Sequence, residues 1–425
     1  MSSQNIQNQP SCADPHEFKA LSVDDARQRI LEQVTPVSGY EKVAIRSALG
    51  RILDEPIIST VDVPSHRNSA MDGFALRGGD LPAPGETGEL RCVGVAYAGH
   101  PFDGEIAPGE CIQIMTGATM PDALDTVVMQ EQAEFKDQIM HIGDGHRPGQ
   151  NVRQAGEDMA KGSVVLEPGR KITAADLGVI ASLGISELTV KRKPVVAFFS
   201  TGDELRSVGE PLGKGDIYDS NRYTLYGMLT DLGVDLLDMG VVEDDPDAMR
   251  VAFQEAAAHA DVIITSGGVS VGEADYIKPI LEELGEISFW KILMKPGRPL
   301  TFGKLGNTSF IGLPGNPVAV MVAFYQFALP AIEYIMSGKQ KPPFLVEAKS
   351  KAEIRKRPGR TEFARGIVSF SSEGELEVDV TGKQGSGILT SMSHGNCFII
   401  LPPEQGSVAP GDRVTVQPFS TIGRK

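Results

Sequence analysis

Between Ser22 and Val34 the run SVDDARQRILEQV sets Val23, Ala26, Ile30 and Val34 three or four positions apart, behind a serine that an acid follows three residues later. The apolar residues then share one helical face, and the serine and acid form a capping signature, so the spacing predicts a helix. From Ile57 to Gly149 apolar residues come instead in short runs such as CIQIM and DTVVMQ, separated by Pro-Gly and Asp-Gly pairs, which predicts a mostly β segment. TAADLGVIASLGI then reads as a second helix, with Thr173 as its N-cap and Gly184 as its stop, returning the chain to the first domain.

Between Lys193 and Met336 the texture changes again. The runs PVVAFFS, VDLLDMGVV, DVIITS, SFWKIL and SFIGLP are strand candidates with helical stretches between most of them. Strands apolar on both faces and linked by crossover helices predict a parallel sheet covered by helices, a three-layer α/β domain. After Gly338, PPFLVEAKS, TEFARGIVSF, ELEVDVTG and DRVTVQPF alternate with Gly and Pro turns and predict a small C-terminal β domain.

The chain has 425 residues, and at roughly 150 residues per domain its length alone suggests about three domains. Hydrophobic residues at 41% and charged residues at 23% describe an ordinary globular chain rather than a disordered or fibrous one. The net charge of −16 sets an average field that repels phosphate backbones and anionic lipid, so neither nucleic acid nor a membrane surface is an expected partner. An anionic substrate would need a local basic cluster within this acidic body. Cys12, Cys92, Cys111 and Cys397 lie far apart without zinc or redox spacing, which suits a reducing compartment. The polar first eighteen residues carry no apolar leader core, and no run of about 18 apolar residues is apparent, so a cytoplasmic, soluble protein is expected.

In an open α/β sheet ligands bind beyond the carboxyl ends of the strands. Here the loops at those ends are rich in acids and glycines. FFS runs into TGDEL with Asp203 and Glu204, MGVV into EDDPD with Asp244, and IGLP into GNP. The stretch ITSGGVSVGEADY supplies Ser266, Gly267, Gly268, Ser270, Gly272 and Asp275 but lacks the Lys-Ser/Thr pair of a nucleotide-hydrolase phosphate loop. Glycines let backbone N–H groups approach phosphate oxygens, and carboxylates hold a magnesium ion that bridges to them. Gly and Asp at one strand-to-helix junction are ordinary turn and capping residues; repetition at four junctions favours a site. WKILMKPGRP adds Lys291, Lys295 and Arg298, suited to an oxyanion or to a solvated loop face, and its Trp290 is assigned to packing. In the β segment, Asp72 of SAMDG reads in isolation as a turn beside a buried ring, and Arg153 and Asp158 as a loop ion pair. The seven dispersed histidines give no zinc spacing.

Taken in order, NSAMDGFA, IMTGA, GED, STGDEL, YDSNR, TSGGVSVGEADY, MKPGRP and GLPGNPVA resemble the molybdopterin molybdenumtransferases, the family of MoeA and the gephyrin E domain, from about Ser22 to Phe419. The resemblance implies a multidomain α/β plus β protein with four domains. They are a small, helix-containing, discontinuous N-terminal linker domain at residues 14–59 with 153–192, an inserted mostly β domain at 60–152 carrying SAMDG, a three-layer molybdopterin-binding-type α/β domain at 193–338, and a C-terminal β domain at 339–425. It implies an elongated homodimer whose cleft is shared between subunits. It also implies a magnesium-dependent reaction in which molybdenum from molybdate enters adenylylated molybdopterin and AMP leaves. The implied catalytic positions are Asp72, Thr116, Glu204, Asp244, Asp275, Lys291 and Lys295, with Asp244 and Asp275 as magnesium ligands. Implied substrate contacts are Asp203, Ser266, Gly267, Gly268, Ser270, Gly272, Arg298, Pro314, Gly315, Asn316, Pro317, Arg365 and Ser386, with Arg153 and Asp158 on the partner-side wall beside Asp72 and Thr116. Implied partners are the molybdopterin adenylyltransferase and molybdoenzyme-maturation proteins. The family's usual lysine is Arg298 here, and Gln154 and Ala155 replace a more basic run, so anion geometry and pterin-side charge differ from the family pattern. Adenylyl transfer from ATP to molybdopterin and a non-catalytic dimeric scaffold are the rival readings.

Overall fold

The structure, a computed structural model, describes residues 20–267 and 277–419. The chain divides into two compact units, Lys42–Val190 in one and Met1–Glu41 with Lys191–Lys425 in the other.

The Lys42–Val190 unit is built on a six-stranded sheet in the order Thr126–Met129, Gly73–Leu76, Glu110–Ile114, Gly88–Ala96, Ile139–Ile142, Ala133–Lys136. Strand alternation sends Phe74 and Leu76 into one buried cluster and Ala75 into another, so both faces of the sheet are covered. The helix expected behind Thr173 spans Ala174–Ser182. The Thr173 side chain and the Asp176 carboxylate cap it reciprocally, and Gly184 follows at φ +72°. Its Ile180 packs with Ala48, Leu53 and Val190.

In the larger unit the expected N-terminal helix spans Val23–Gln33, with Ser22 Oγ accepting from Asp25 N. The α/β part carries strands β1 (Val195–Thr201), β2 (Asp235–Val242), β3 (Val262–Ser266), β4 (Glu286–Lys291), β5 (Pro299–Leu305) and β6 (Thr308–Leu313). Helices α1 (Ser220–Leu232), α2 (Pro246–His259) and α3 (Ile277–Leu284) lie between them in the chain, and α4 (Pro317–Ser337) follows, running through a π turn at Phe324–Ala328. The sheet order is β2-β1-β3-β6-β5-β4. Phe253 of α2 packs edge-on against Phe199 of β1 and Phe310 of β6, with centroids 5.2 and 5.5 Å apart.

One expectation is corrected here. The sheet is mixed, not parallel: β2, β1, β3 and β6 are parallel, but β5 pairs antiparallel with both β6 and β4. The two-residue Gly306-Asn307 turn folds β5 back onto β6 as a hairpin, a signal that the apolar-run pattern did not weigh. The helix Pro317–Ser337 is long and apolar enough to cross a membrane by composition, with mean hydropathy 1.6, although Gln326 and Glu333 interrupt its apolar run. Two-thirds of it is buried, with Val320, Phe327 and Ile332 fully enclosed, so it is apolar all round because it is a core helix.

The C-terminal part continues with β7 (Val346–Ser350), β8 (Thr361–Phe370), β9 (Leu376–Val380), β10 (Cys397–Leu401) and β11 (Arg413–Pro418). They run β8-β9-β7-β11-β10, and a second pairing of β8 with β10 closes the sheet into a small barrel. At Gly366, where β8 passes from β10 to β9, a Cβ would stand 2.8 Å from Ile399 and 2.9 Å from Val378. The short strand Met294–Lys295 adds to the outside of β8 in parallel, with Lys295 opposite Glu362.

Candidate functional site

The chain leaves β1 toward β2 on one side and returns to β3 on the other, so the carboxyl ends of β1 and β3 flank the point where strand order reverses. There Ser200 and Ser266, opposite one another and buried, join through a 2.9 Å hydroxyl hydrogen bond. Beyond it opens a cleft of about 630 Å³. Its walls come from the ends of β1, β3 and β6, the start of α1, the residues after Lys295, and Gln384–Ser386 of the C-terminal part.

The floor is bare backbone. Gly267 stands at φ +93°, and a Cβ there would meet Thr201 O at 2.7 Å; a Cβ on Gly315 would reach Gly267 Cα at 3.8 Å. A side chain at Gly267 would therefore push the end of β1 away, whereas one at Gly315 would make ordinary contact, and a ligand can approach main chain directly. Asn316 and Pro317 then begin α4, whose N-terminal end presents the positive end of its dipole.

One flank is acidic. Glu204 and Asp244 line the cleft, and Asp203 lines the adjoining recess, its Oδ1 accepting from Asp244 N at 3.4 Å. Burial, then the charges of Asp203 and Glu204, raise the Asp244 carboxyl above the usual carboxylate range. The opposite flank carries Lys295 and Arg298. Lys295 Nζ lies 3.2 Å from Glu362 Oε2. Ser386 accepts Val318 N at 3.0 Å through its carbonyl, tying the C-terminal part to the start of α4.

The structure thus brings together Glu204, Asp244, Ser266, Gly267, Lys295, Arg298, Pro314, Gly315, Asn316, Pro317 and Ser386. Arg365 is 1% exposed and lies behind this wall. Its Nε donates to Ser391 Oγ and its Nη2 to Gly385 O, both at 3.0 Å, so its contacts hold the Gln384–Ser386 segment. Burial lowers its pKa. Lys291 is exposed at the end of β4 and is not part of the cleft wall. Gly268, Ser270, Gly272 and Asp275 lie outside the described residues.

Asp72, Thr116, Arg153 and Asp158 belong to the other unit. Asp72 and Thr116, 44 positions apart, meet: Asp72 Oδ1 accepts from Thr116 N and Thr116 Oγ1, each at 2.7 Å. Those bonds, the backbone one first, hold the exposed Asp72 carboxyl below its ordinary range. Arg153 pairs with Asn68 in a two-stranded ladder, Asp158 N donates to Val63 O at 3.0 Å, and both side chains are exposed.

Asn221, Asp219 and Gln384 were given no role from sequence, yet all three line the cleft. Asn221 Nδ2 donates to Gly315 O at 2.8 Å, and Asp219 caps α1 by accepting from Arg222 N. Asn221 Oδ1, Asp219 Oδ2 and Thr201 Oγ1 are buried without a hydrogen-bond partner among the described residues. The YDSNR run carried this signal, because an Asp at a helix start before an inward Asn is a capping pattern.

Comparison with known proteins places these features in a family context. Residues 21–184 match the family described as MoeA N-terminal region (domain I and II), 197–334 that described as probable molybdopterin binding domain, and 347–419 that described as MoeA C-terminal region (domain IV). The chain is 43% identical over 405 residues to a molybdopterin molybdenumtransferase of Haemophilus influenzae, covering 95% of this chain and 99% of the relative. It is 33% identical to gephyrin of Dictyostelium discoideum over 93% of this chain and 62% of gephyrin. The crystal structure of a molybdopterin biosynthesis MoeA protein from Pyrococcus horikoshii superposes with a TM-score of 0.82 at 28% identity, covering 94% of this chain and all of that one.

Proposed function

This chain belongs to the MoeA family of molybdopterin molybdenumtransferases, and on that premise we propose that it inserts molybdenum from molybdate into adenylylated molybdopterin, releasing AMP with magnesium. The observation that carries the reading is the polarity of the cleft: a bare glycine floor lies between an acidic flank at Glu204 and Asp244 and a basic flank at Lys295 and Arg298. A phosphate ester with its counter-ion suits the first two, and a tetrahedral oxyanion suits the third.

The acids suit a divalent cation because Asp244 is burdened by burial and by two neighbouring carboxylates, a repulsion that a cation would relieve. Among the described residues no three His, Cys, Asp or Glu side chains already form a metal cage. That is compatible with magnesium, which keeps waters and substrate phosphates among its ligands. Asp244 would hold the ion, with Asp203 and Glu204 beside it; a share for Asp275 rests on the resemblance alone. When bound, magnesium neutralises charge on the phosphoanhydride and the departing AMP. The residues otherwise contribute position and field. Gly267 and Gly315 let the phosphates lie close to main chain at the positive end of α4, while Lys295, Arg298 and Ser386 hold molybdate near the dithiolene. Arg365 acts on molybdate through the Gln384–Ser386 segment.

The remaining parts of the proposal are a cytoplasmic protein without nucleic-acid or membrane partners, the four-domain division given above, and a homodimer. In that dimer Asp72, Thr116, Arg153 and Asp158 of a second copy complete the substrate wall, and Lys291 supplies a further cation. The adenylyltransferase and maturation proteins hand substrate in and product on. Purified protein incubated with adenylylated molybdopterin, with and without magnesium and molybdate, tests the reading by AMP release. Release that requires molybdate and no ATP is expected. Consumption of ATP would mark an adenylyltransferase, and absence of any turnover would leave a scaffold.

A further inference from the structure

Lys295 reaches the cleft by an unusual route. Its strand, Met294–Lys295, is hydrogen-bonded to β8 of the barrel, with Lys295 directly opposite Glu362. Residues opposite one another on parallel strands project to the same side, and the two side chains meet at 3.2 Å. The pair is asymmetric: the Lys295 side chain is 54% exposed, while the Glu362 side chain is 17% exposed. The acid is the fixed member, because its backbone pairs on its other side with Leu401 of β10.

A second cation lies behind it. Lys356, 6% exposed, donates its Nζ to Gln405 O at 2.9 Å and to Arg357 O at 3.4 Å. Burial lowers the Lys356 pKa, Glu362 and Glu404 raise it, and Lys295 lowers it, so the three side chains share one local field. Glu362 thus pairs with the more exposed ammonium and acts on the buried, anchored one. Without its charge the two cations would repel, and the flexible lysine would be driven off the wall.

We propose that Glu362 is a positioning residue for the anion-handling flank, holding the Lys295 ammonium where the tetrahedral oxyanion substrate is taken up. This inference rests on the reading of the cleft as a molybdate-using site. It has a sign that simple electrostatics lacks. Deleting a carboxylate beside an anion site should strengthen anion binding if charge alone matters, whereas loss of a positioning contact should weaken it.

The test compares molybdate binding by calorimetry and molybdate-dependent AMP release in the wild type, Glu362→Gln, Lys295→Gln and the double variant. For Glu362→Gln, Kd and KM for molybdate are expected to rise roughly fivefold, in keeping with a half-exposed pair, with kcat at saturating molybdate within about twofold and Tm unchanged. In the Lys295→Gln background the same substitution should have no further effect, because the acid acts through the lysine. If glutamine unsettles the barrel, Glu362→Asp draws the carboxylate back by one methylene and should also raise KM. Unchanged or tighter molybdate binding in a folded Glu362→Gln protein, or an equal effect without Lys295, would overturn the inference alone. Failure of the wild type to bind molybdate would overturn the functional reading and the inference together.

Discussion

Replacing Gly267 by alanine is expected to damage the cleft floor, and the size of the effect follows from two features. The residue stands at φ +93°, outside the range that an L side chain tolerates cheaply, which costs about 1–2 kcal/mol. The new Cβ would also sit 2.7 Å from Thr201 O, a backbone atom at the end of β1 that cannot rotate aside. Moving a packed strand end adds a cost of similar order, for a total of about 2–4 kcal/mol. At roughly 2–4 °C per kcal/mol for a unit of this size, the melting temperature should fall by about 4–16 °C. Gly227 is the internal control. It lies exposed in α1, where an added Cβ would meet nothing within 4 Å and φ is not positive. Gly227→Ala should therefore stabilise by about 0.5–1 kcal/mol through helix propensity. Scanning calorimetry of the two variants measures both. Shifts of the same sign, or an unchanged transition in Gly267→Ala, would refute the reasoning.

Three further perturbations probe electrostatics. Asp176 of the capping box accepts from Thr173 N at 2.9 Å and from Arg170 Nε at 3.1 Å. Burial raises its carboxyl, but those bonds outweigh burial and the native pKa is lowered. Its contribution is therefore present above the unfolded carboxylate pKa and lost as pH falls through the lower native one; Asp176→Asn should cost about 1–3 kcal/mol at pH 7 and abolish that acid-side loss, read from urea midpoints. Asp244 has the opposite sign. Burial, then Asp203 and Glu204, raise its pKa, so ionisation destabilises the fold as pH rises through the native value. Asp244→Asn should be more stable than the wild type at pH 7, with the gap closing below about pH 4 and narrowing in wild type with added magnesium, while AMP release is lost. In the smaller unit, Thr116→Val removes the hydroxyl bond to Asp72 but keeps the backbone one. The Asp72 pKa should rise toward its ordinary value without reaching it, measurable by carboxyl-carbon NMR titration; no movement would show that the hydroxyl contributes nothing.

Much of the site was legible because its chemistry sits at strand ends, where apolar runs stop and acids and glycines begin. Glu204, Asp244, Gly267 and Gly315 were placed on one edge by that logic alone, and all line the cleft. Spacing also identified the helices at Val23–Gln33 and Ala174–Ser182, since caps and helical periodicity are local. Local patterning failed where partner choice mattered. A run such as PLTFGKL reads the same whether its neighbour is parallel or antiparallel, and the mixed sheet followed from the Gly306-Asn307 turn. Lys291, Lys295 and Arg298 looked equivalent as three cations in eight residues, yet Lys291 is not in the cleft wall.

From its own order of residues the chain determined which segments are helix or strand, that one sheet edge gathers acids and glycines, and which family the motifs resemble. Tertiary structure decided which of those residues meet. It put the Lys295 strand on the barrel opposite Glu362, Arg365 behind the Gln384–Ser386 wall, and Asp72 against Thr116. The physical reason is range: caps, periodicity and turn chemistry act over a few residues, whereas ion pairs and desolvation depend on distances that chain separation does not encode.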